Sequence, residues 1–536
     1  ASTRAAAHAF HAVDADAELE RHARIISEYV ADLDIANDDK LEEFNLSLPW
    51  FVQNALVHFL SPHGLEQYSG AAWGTRDVCQ GPFEMALAFG HFDAARTIIR
   101  KVFSHQNEDG SLPQWFMFDQ YASIYQHDSH GDIPVWPLMV VGEYLDATGD
   151  ATLLDDIAPF WDNVNDKPCD GESTVADHLR RTLDYIRSHR VPGTELFSYG
   201  EGDWDDTLQP AQAEMKKSMA STWTIALLYQ ATSALARLLP PDFKAESESI
   251  RSVYDRVFVF DNVLAGYVHY ENGEPEPIIH PRDTRTGIKY RLIPMTRSII
   301  AGLFSPQEER LHEGLIEDNL HYPDGVRLMN RPAAFHDGET TVFKRGEQAA
   351  NVGREIGLMY THAHIRYTEA LSLLGRGRIG DELLRISPVN QFKRLPTSEP
   401  RQRNCYFASS DADFPDRYTA SAQWDRLKDD AANPVGVRGG WRVYSSGPGI
   451  YLRQVVQHLL GIQIHADRVT FDPVLTTDDD GLEVTISLFG TKRTIRYHVA
   501  DVAEVTVSGE HGSVDGQRIE LPYRAGGLSI SREALG

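Results

Sequence analysis

The sequence predicts a mainly helical protein built on a closed helical barrel, with a small antiparallel β-domain at its C-terminal end. Apolar residues recur at three- and four-residue steps through most of the 536-residue chain, which is the spacing of one helical face. Glycine, proline, aspartate and aromatic residues separate these stretches, as expected for a barrel whose loops build a cleft. Near residue 466 the pattern changes to the alternation that is typical of half-buried strands.

Individual helices can be placed from this spacing. One helical face is predicted across Met85, Phe89, Phe92, Ala95, Ile99 and Val102. Further helices are expected near 135–147, 175–188, 218–238, 294–303, 354–374 and 449–461. The first 40 residues are predicted to form a charged helical lead-in, and residues 41–465 are predicted to form the barrel.

The C-terminal segment 466–536 is predicted to be the β-domain. Its clearest strand is 482–488, in which Leu482, Val484, Ile486 and Leu488 alternate with Glu483, Thr485 and Ser487. Additional short strands are expected near 468–472, 494–499, 503–508 and 517–521. Such strands suit a small antiparallel sheet that packs on the barrel.

The charge of the chain argues against two classes of partner. Lys and Arg number 51 against 78 Asp and Glu, and the resulting net charge of −27 repels nucleic-acid phosphates and anionic lipids. A neutral sugar meets no such repulsion. The sequence has no apolar run of membrane-spanning length and no signal-peptide core at its start. We therefore expect a cytoplasmic protein, although a secreted protein without its leader would have the same features.

The three cysteines, Cys79, Cys169 and Cys405, are odd in number and far apart. They define neither a disulfide framework nor a zinc-binding spacing. The sequence does not fix the oligomeric state, and a homodimer is one expectation.

The loop 111–136 is rich in both aromatic and polar residues, among them Trp115 and Asp132. Sugars offer hydroxyl groups to carboxylates and amides, and flat C–H faces to aromatic rings. A cleft that mixes both kinds of side chain therefore suits a carbohydrate. A barrel core flanked by polar loops is the alternative interpretation of the same residues.

The segment 200–207, GEGDWDDT, clusters Asp203, Asp205 and Asp206 around Trp204. Carboxylates this close raise one another's pKa. Cleavage of a glycosidic bond needs a carboxylic acid that stays protonated near neutral pH, because the departing oxygen must receive a proton. A solvated acidic turn or a helix N-cap would have the same composition.

Two further segments are candidates for an anion site. GREIGLMYTHAH, 353–364, places Glu355 seven residues before His362, and VYSSGPGI, 443–450, carries Ser445 and Ser446 in a turn that enters a helix. Hydroxyl groups and free N–H groups at a helix start bind anions, and a histidine can add a further donor. A simple helix-start turn is the alternative.

Five segments, in this order, resemble motifs of glycoside hydrolase family 94, which includes cellobiose and chitobiose phosphorylases. WGTRDVCQG (73–81) resembles G-F-R-D-x-x-Q-D, and TGDATLLDD (148–156) resembles a T-G-D segment. GDWDDT (202–207) resembles D-W-N-D-G, and EIGLMYTH (355–362) resembles E-N-G-G-I-F-x-H. YSSGPGIYLRQVVQHLLGI (444–462) resembles F-T-G-S-A-G-W followed by a helix that ends in L-G-I.

The resemblance implies an (α/α)6 barrel and a role for each matching residue. Asp206 falls on the family's general acid, and Glu355 falls on a glutamate that contacts the substrate. Arg76 and Trp204 fall on residues that line the sugar site beside the broken bond. The implied phosphate ligands are His362, Ser445 and Ser446. The remaining predicted substrate-binding residues are Asp77, Gln80, Trp115, Asp132 and Asp205.

The chain also departs from the family pattern. Gly81 replaces the final aspartate of the R-D-x-x-Q-D motif, and Asp205 replaces the asparagine beside the acid. Met-Thr-Arg at 295–297 replaces a frequent Q-S-W, and the loop that ends at Asp132 lacks R-T-R. The large N-terminal β-sandwich of the family has no counterpart here, as expected for a fragment, a processed form or a shorter relative. The substrate is therefore expected to differ from plain cellobiose.

The implied reaction is inverting phosphorolysis of a β-linked di- or oligosaccharide to an α-sugar 1-phosphate. Phosphate is already a nucleophile, so the reaction needs inorganic phosphate as co-substrate but no enzymic base, and no metal or organic cofactor is implied. One alternative is an inverting hydrolase in which Glu355 or a loop aspartate activates water. The other is a sugar-binding protein without catalytic activity.

Overall fold

The computed structural model describes residues 14–60, 72–239, 241–271, 273–348, 359–387, 398–400, 408–429, 435–443, 446–499, 513–515, 518–522 and 528–535. This part of the protein is mainly helical, with small β-sheets. Its long helices are α1 (Ala15–Tyr29), α2 (Phe44–Leu60), α3 (Gly81–Ala88), α4 (Phe92–Phe103), α5 (Val135–Thr148), α6 (Val175–Ser188), α7 (Thr222–Ala236), α8 (Pro241–Phe258), α9 (Leu292–Ile300), α10 (Pro306–Asn319), α11 (Thr361–Leu373), α12 (Ile379–Ile386) and α13 (Gly447–Arg453).

Shorter helical segments join these elements. A π-helix, Gln454–Leu459, continues α13. Short α-helices cover Thr75–Val78, Met215–Ser218, Lys344–Gln348, Arg417–Gln423, Arg426–Asp429 and Arg532–Leu535. In the described ranges, no helix combines the length and the apolar character that crossing a membrane requires.

Most strands are only two or three residues long and hold neighbouring loops together. They are β1 (Asp34–Ala36), β2 (Trp73–Gly74), β3 (Trp115–Phe116), β4 (Trp161–Asp162), β5 (Lys167–Pro168), β6 (Met219–Ser221), β7 (Val259–Phe260), β8 (Val263–Leu264), β9 (Tyr267–His269), β10 (Glu276–Ile278), β11 (His321–Tyr322), β12 (Gly325–Val326), β13 (Ser398–Pro400), β14 (Ala408–Ala412), β15 (Val437–Val443), β16 (Ile462–Ile464), β17 (Arg468–Phe471), β18 (Glu483–Leu488), β19 (Thr491–His498), β20 (Ser513–Asp515), β21 (Arg518–Pro522) and β22 (Leu528–Ser531).

Six helices contact one another in a closed order, namely α3, α5, α7, α9, α11 and α13, with α13 returning to α3. They are buried on almost every side, and α3 is buried along its whole length. The helices α2, α4, α6, α8, α10 and α12 pack outside them and bury mainly one face. Because each outer helix returns the chain, the six inner helices run in one direction and all begin at the same end.

The observed helices lie near the positions that the apolar spacing predicts, with one correction. Of the predicted helix 354–374, residues 354–358 lie outside the described residues, and the observed helix begins at Thr361. The single helical face predicted from Met85 to Val102 is wrong, because these residues belong to two helices, α3 and α4. Gly90 has a φ of +73° and ends α3, and the N–H of His91 then bonds back to the carbonyl of Ala86. This left-handed glycine lets the chain reverse, so that α3 becomes an inner helix and α4 an outer one.

The C-terminal strands form two sheets. One has the order β16-β17-β22 and is antiparallel, as predicted. The other has the order β1-β18-β19-β21-β20 and differs from the predicted antiparallel arrangement in one pair, because β21 runs parallel to β19. The strand β20 lies at the far edge and reverses the chain before β21. The strand predicted near 503–508 lies outside the described residues.

The predicted lead-in contains a strand as well as a helix. Helix α1 fits the prediction, but β1 pairs with β18 and so extends the C-terminal sheet. Apolar side chains of α1 and α2 pack in the same buried cluster as side chains of α13 and of this sheet. The N-terminal segment thereby joins the end of the chain to the ring of inner helices.

Helices α3 and α13 approach each other at two glycines near their N-terminal ends. A Cβ atom on Gly81 would overlap the carbonyl oxygen of Ser446, and a Cβ atom on Gly449 would overlap the carbonyl oxygen of Gly81. Backbone atoms cannot swing aside as a flexible side chain can. Gly81, which stands in place of the aspartate of the family motif, is therefore required by the packing of the two helices.

We predict that Gly81→Ala destabilises the protein by about 1–3 kcal/mol, the usual cost of adding atoms to a well-packed region. Urea-induced unfolding of the purified variant measures the change in the free energy of unfolding. Gly314→Ala is the matched control, because Gly314 lies within α10 and its added Cβ meets no atom within 4 Å. That substitution should be neutral or stabilise the protein by about 0.5–1 kcal/mol. Equal stability of the two variants would contradict the close approach of α3 and α13.

Candidate active site

Loops that precede the inner helices bring several predicted residues together. Arg76 precedes α3, and its Nε lies 3.4 Å from Oδ2 of Asp132, which precedes α5. Its Nη2 lies 3.9 Å from Oδ1 of Asp206, which begins the 3-10 turn Asp206–Leu208 on the loop before α7. The side chain of Asp206 is 34% exposed, whereas those of Arg76 and Asp132 are buried. The predicted acid is therefore accessible to a ligand.

A buried ion pair holds the loop that carries Asp206. The two carboxylate oxygens of Asp203 accept hydrogen bonds of 2.9 and 3.0 Å from Arg291, which precedes α9. Both side chains are completely buried. The hydroxyl of Ser221 and the backbone N–H of Asp205 also donate to Asp203, at 2.6 and 3.0 Å. The guanidinium of Arg291 lies over the ring of Tyr267, 4.5 Å from its centroid.

The two buried carboxylates differ in their pKa. Burial would raise the pKa of Asp203, but the charge and hydrogen bonds of Arg291 outweigh burial and hold this pKa below its ordinary value. Burial raises the pKa of Asp132, and the charge of Arg76 offsets that effect only in part. The oxygen Oδ1 of Asp132 is buried and has no hydrogen-bond partner in the described residues. Asp203 is thus a structural anchor, whereas Asp132 can still accept a bond from a ligand.

His130 lies beside the candidate acid, although the sequence motifs did not single it out. Its Nδ1 is 3.6 Å from Oδ1 of Asp206 and 3.1 Å from Nη2 of Arg76. The same nitrogen lies 2.7 Å from the carbonyl oxygen of Asp203, a contact that a protonated Nδ1 makes as a donor. On the other side of the ring, Nε2 lies 3.5 Å from the amide nitrogen of Gln209. The imidazole thus occupies a fixed position between the acid and Gln209.

Two of the three predicted phosphate residues meet where α11 and α13 begin. Nε2 of His362 lies 2.8 Å from Oγ of Ser446, which in turn donates to Oδ1 of Asp77 at 3.2 Å. The ring of Tyr360 stacks on His362 with centroids 5.1 Å apart. The indole of Trp204, two residues before Asp206, lies 6.0 Å from the imidazole of His362. Trp204 therefore connects the acid loop to the candidate phosphate ligands.

Three other predicted residues lie at the edges of this cluster. Gln80 is completely buried, and its side chain donates to the carbonyl of Arg76 at 3.4 Å. Asp205 is also buried and accepts bonds from the backbone and hydroxyl of Thr207. Trp115 is only half-buried and donates to the side chain of Gln126 at 2.8 Å. Gln80 and Asp205 thus support the loops, while Trp115 lies at the rim.

Glu355 and Ser445 lie outside the described residues. The prediction that Glu355 faces Asp206 across one cleft, and the phosphate role of Ser445, therefore stay predictions. Arg291 and Ser221 were missed by sequence reasoning, because their loops carry no motif that distinguishes them. His130 lies in the loop 111–136 that the sequence analysis singled out, but it was not among the predicted site residues. Only the fold brings these three residues to Asp203. In the part of the chain that the structure describes, no group of three or more His, Cys, Asp or Glu side chains could hold a metal ion.

Two family models match this chain. The model of the catalytic domain of the glycosyl hydrolase 94 superfamily matches residues 50–417. The chain belongs to this superfamily. A second family model, the glycoside phosphorylase C-terminal domain, matches residues 461–536. These matches confirm the resemblance that the five motifs indicated.

Several relatives of this superfamily member are known. The chain is 45% identical over 500 residues to a 1,2-beta-oligoglucan phosphorylase of Listeria innocua, a match that covers 92% of this chain and 46% of the relative. It is 20% identical over 400 residues to the N,N'-diacetylchitobiose phosphorylase of Vibrio proteolyticus, covering 71% of this chain and 45% of that protein.

A third relative is the cyclic beta-(1,2)-glucan synthase NdvB of Rhizobium meliloti. It is 24% identical over 494 residues, which cover 86% of this chain and 16% of the synthase. The chain thus spans about half the length of the two phosphorylases and a smaller part of the synthase.

We predict that Arg291→Met destabilises the protein by about 3–5 kcal/mol, because it leaves the carboxylate of Asp203 buried without its partner. Urea-induced unfolding measures the loss. Arg282→Met is the control, since Arg282 pairs with Asp261 at an exposed site and should have no measurable effect. The double variant Arg291→Met/Asp203→Asn should lose less stability than the sum of the two single variants. Strict additivity would show that the pair is not coupled.

Proposed function

We propose that this chain carries the catalytic machinery of an inverting phosphorylase that acts on β-linked oligosaccharides of glucose. The products are an α-sugar 1-phosphate and a shortened acceptor. The observation that carries the proposal is that Trp204 lies between two groups of predicted site residues. The carboxyl group of Asp206 lies beside Arg76, and the pair formed by His362 and Ser446 lies beyond the indole of Trp204.

The proposed architecture is an (α/α)6 barrel over residues 41–465, preceded by the lead-in and followed by a β-domain over residues 466–536. The closed order of the six inner helices and the outer helix between each pair support this assignment. All six inner helices begin at the cleft, so their positive dipole ends point towards it. A barrel of this kind therefore provides a scaffold for an anionic co-substrate.

Asp206 is proposed to protonate the glycosidic oxygen as the bond breaks. Its carboxyl group is accessible, and Arg76 and His130 fix its position from two sides. The oxygen Oδ1 of Asp132 is a candidate acceptor for a sugar hydroxyl, because it is buried and has no partner in the described residues. These groups support binding of the sugar unit that becomes the 1-phosphate.

Phosphate is proposed to bind at the starts of α11 and α13 and to attack the anomeric carbon from the face opposite Asp206. His362 and Ser446 meet at a helix start, and their ring N–H and hydroxyl, which now bond to Ser446 and Asp77, would exchange these bonds for bonds to phosphate. The family resemblance adds Ser445 to this site and Glu355 to the sugar site. A protein of net charge −27 can bind phosphate only where donors are concentrated in this way. The reaction needs phosphate as co-substrate and no metal or organic cofactor.

The proposed substrate class rests on the net charge of this chain and on the names of its relatives. A neutral glucan suits the acidic surface. Two of the relatives are named for β-1,2-linked glucans, the oligoglucan phosphorylase and the cyclic glucan synthase. We therefore propose β-1,2-linked oligosaccharides of glucose as the substrates of this chain. Release of sugar 1-phosphate from such oligosaccharides, measured with and without phosphate, tests the proposal, and full turnover in phosphate-free buffer would identify a hydrolase instead.

We predict that Asp206→Asn lowers kcat at least about 100-fold while the fold and sugar binding persist. An amide has nearly the same shape as the carboxyl group but cannot donate the proton, and general acid catalysis contributes roughly 10²–10⁴-fold. The rate of sugar 1-phosphate release and the circular dichroism spectrum provide the measurements. Asp261→Asn, at an exposed surface ion pair, is the control and should keep full activity. Activity within threefold of wild type would remove Asp206 from the mechanism.

We also predict that His362→Ala raises the KM for phosphate about tenfold or more and changes the KM for the sugar much less. The imidazole is proposed to donate to the anion, and the net loss of one charge-assisted bond has this magnitude. Initial rates at varied phosphate and fixed saturating sugar give the comparison. His22→Ala, on the exposed part of α1, is the control. An equal rise in both KM values would place His362 outside the phosphate site.

A further inference from the structure

A polar cavity lies beside the loop of the candidate acid and has no role in the site described so far. Its volume is about 240 Å³. One wall is formed by Glu201, the segment 209–213 and Lys216, and the other wall is formed by Lys344. One water needs only about 10–15 Å³ of such space, so the cavity can hold several waters or a polar ligand in their place.

Both walls of this cavity adjoin the acid loop. Gln209 directly follows the turn Asp206–Leu208, and its amide lies 3.5 Å from Nε2 of His130. The opposite nitrogen of the same ring lies 3.6 Å from the carboxylate of Asp206. Next to Lys344, the guanidinium of Arg345 donates to the backbone carbonyl of Asp206 at 3.5 Å. The cavity therefore begins one imidazole ring away from the acid.

The cavity and the candidate phosphate ligands contact different parts of this loop. His362 contacts this loop at the indole of Trp204, whereas the cavity lies at Gln209, whose side chain contacts His130. In an inverting reaction the acid donates its proton to the leaving group, and the nucleophile attacks from the opposite face. The cavity lies beside the loop of Asp206 and is not lined by the candidate phosphate ligands, so its position suits the leaving sugar.

The chemistry of the lining suits a neutral polyhydroxyl ligand. Nζ of Lys216 lies 2.5 Å from Oε1 of Glu201, so that the charges of this pair compensate each other within the wall. Glu201 can still accept hydrogen bonds, Lys216 can still donate them, and the amide of Gln212 can do both. Sugar hydroxyls also donate and accept. The lining polar groups therefore match a sugar unit better than a phosphate, which would also meet the carboxylate of Glu201.

We propose that this cavity binds the second sugar unit of the acceptor, one unit beyond the sugar that leaves from the broken bond. The inference rests on the proposed function and extends it to the choice of chain length. A trisaccharide would place its third ring in the cavity, whereas a disaccharide would leave the cavity to water. Lys216 and Gln212 would then set the preference for longer chains without taking part in the bond-breaking step.

The test compares two substrates in two cavity variants. Lys216→Ala and Gln212→Ala should each lower kcat/KM for phosphorolysis of the β-1,2-linked glucose trisaccharide about tenfold, the effect of losing about one hydrogen bond to the sugar. For the disaccharide, kcat/KM should change less than twofold. Lys217→Ala is the matched control, because Lys217 is the exposed neighbour of Lys216 and does not line the cavity. It should behave as wild type with both substrates.

Three outcomes would overturn the inference. Equal losses with both substrates would mean that the variants disturb the acid, and unchanged values with both would mean that the cavity binds no sugar. A higher KM for phosphate in Lys216→Ala would identify an anion site instead. If wild type releases no sugar 1-phosphate at all, the proposed function fails by itself. Titration calorimetry of the two saccharides then tests whether the cavity binds sugar. The variants should bind the trisaccharide more weakly than wild type does and should bind the disaccharide equally well.

Discussion

The buried ion pair between Asp203 and Arg291 is the contact on which the arrangement of the cleft depends. It joins the loop before α7 to the residue that precedes α9, and both partners are completely buried. Trp204, Asp205 and Asp206 follow directly in the chain, so their positions are set by this anchor. The carbonyl of Asp203 also contacts His130 and Arg76, at 2.7 and 3.2 Å. One aspartate thereby aligns loops from four of the inner helices.

Helix positions and the acid loop could be predicted from the sequence, because their signals are local. Apolar spacing marks a helix within a dozen residues, and the motif around Asp206 is continuous. The contacts of His130 and Arg291 with Asp203 could not be predicted in this way. These two residues lie 73 and 88 positions from Asp203 in the sequence, so no local pattern connects them. The role of Gly81 was equally hidden, because the obstacle to a side chain is the backbone at Ser446. The sequence showed that Gly81 replaces the aspartate of the family motif, but it did not show that the packing of two helices leaves no room for a side chain there.

Charged side chains of the inner helices form a buried network below the candidate site. Arg366 bonds to Glu84 and Glu369, and Arg453 bonds to Glu143 at 2.8 Å. Within the same group, burial and the nearby charge of Arg366 lower the pKa of Arg297 to about 10. Gln80 connects this network to the site, because it accepts from Arg366 and donates to the carbonyl of Arg76. The conformation of Arg76 is thus coupled to polar contacts inside the ring.

The short strand β1 covers an edge of the C-terminal sheet. It pairs with β18 across about 450 residues and occupies the outer edge of the C-terminal sheet. Without it, β18 would present a row of unpaired N–H and C=O groups, and its alternating pattern would make it a template for another extended chain. Three residues near the beginning of the sequence thus protect the far end from self-association. Truncated variants that retain the helical ring but lack these residues are expected to aggregate through that edge.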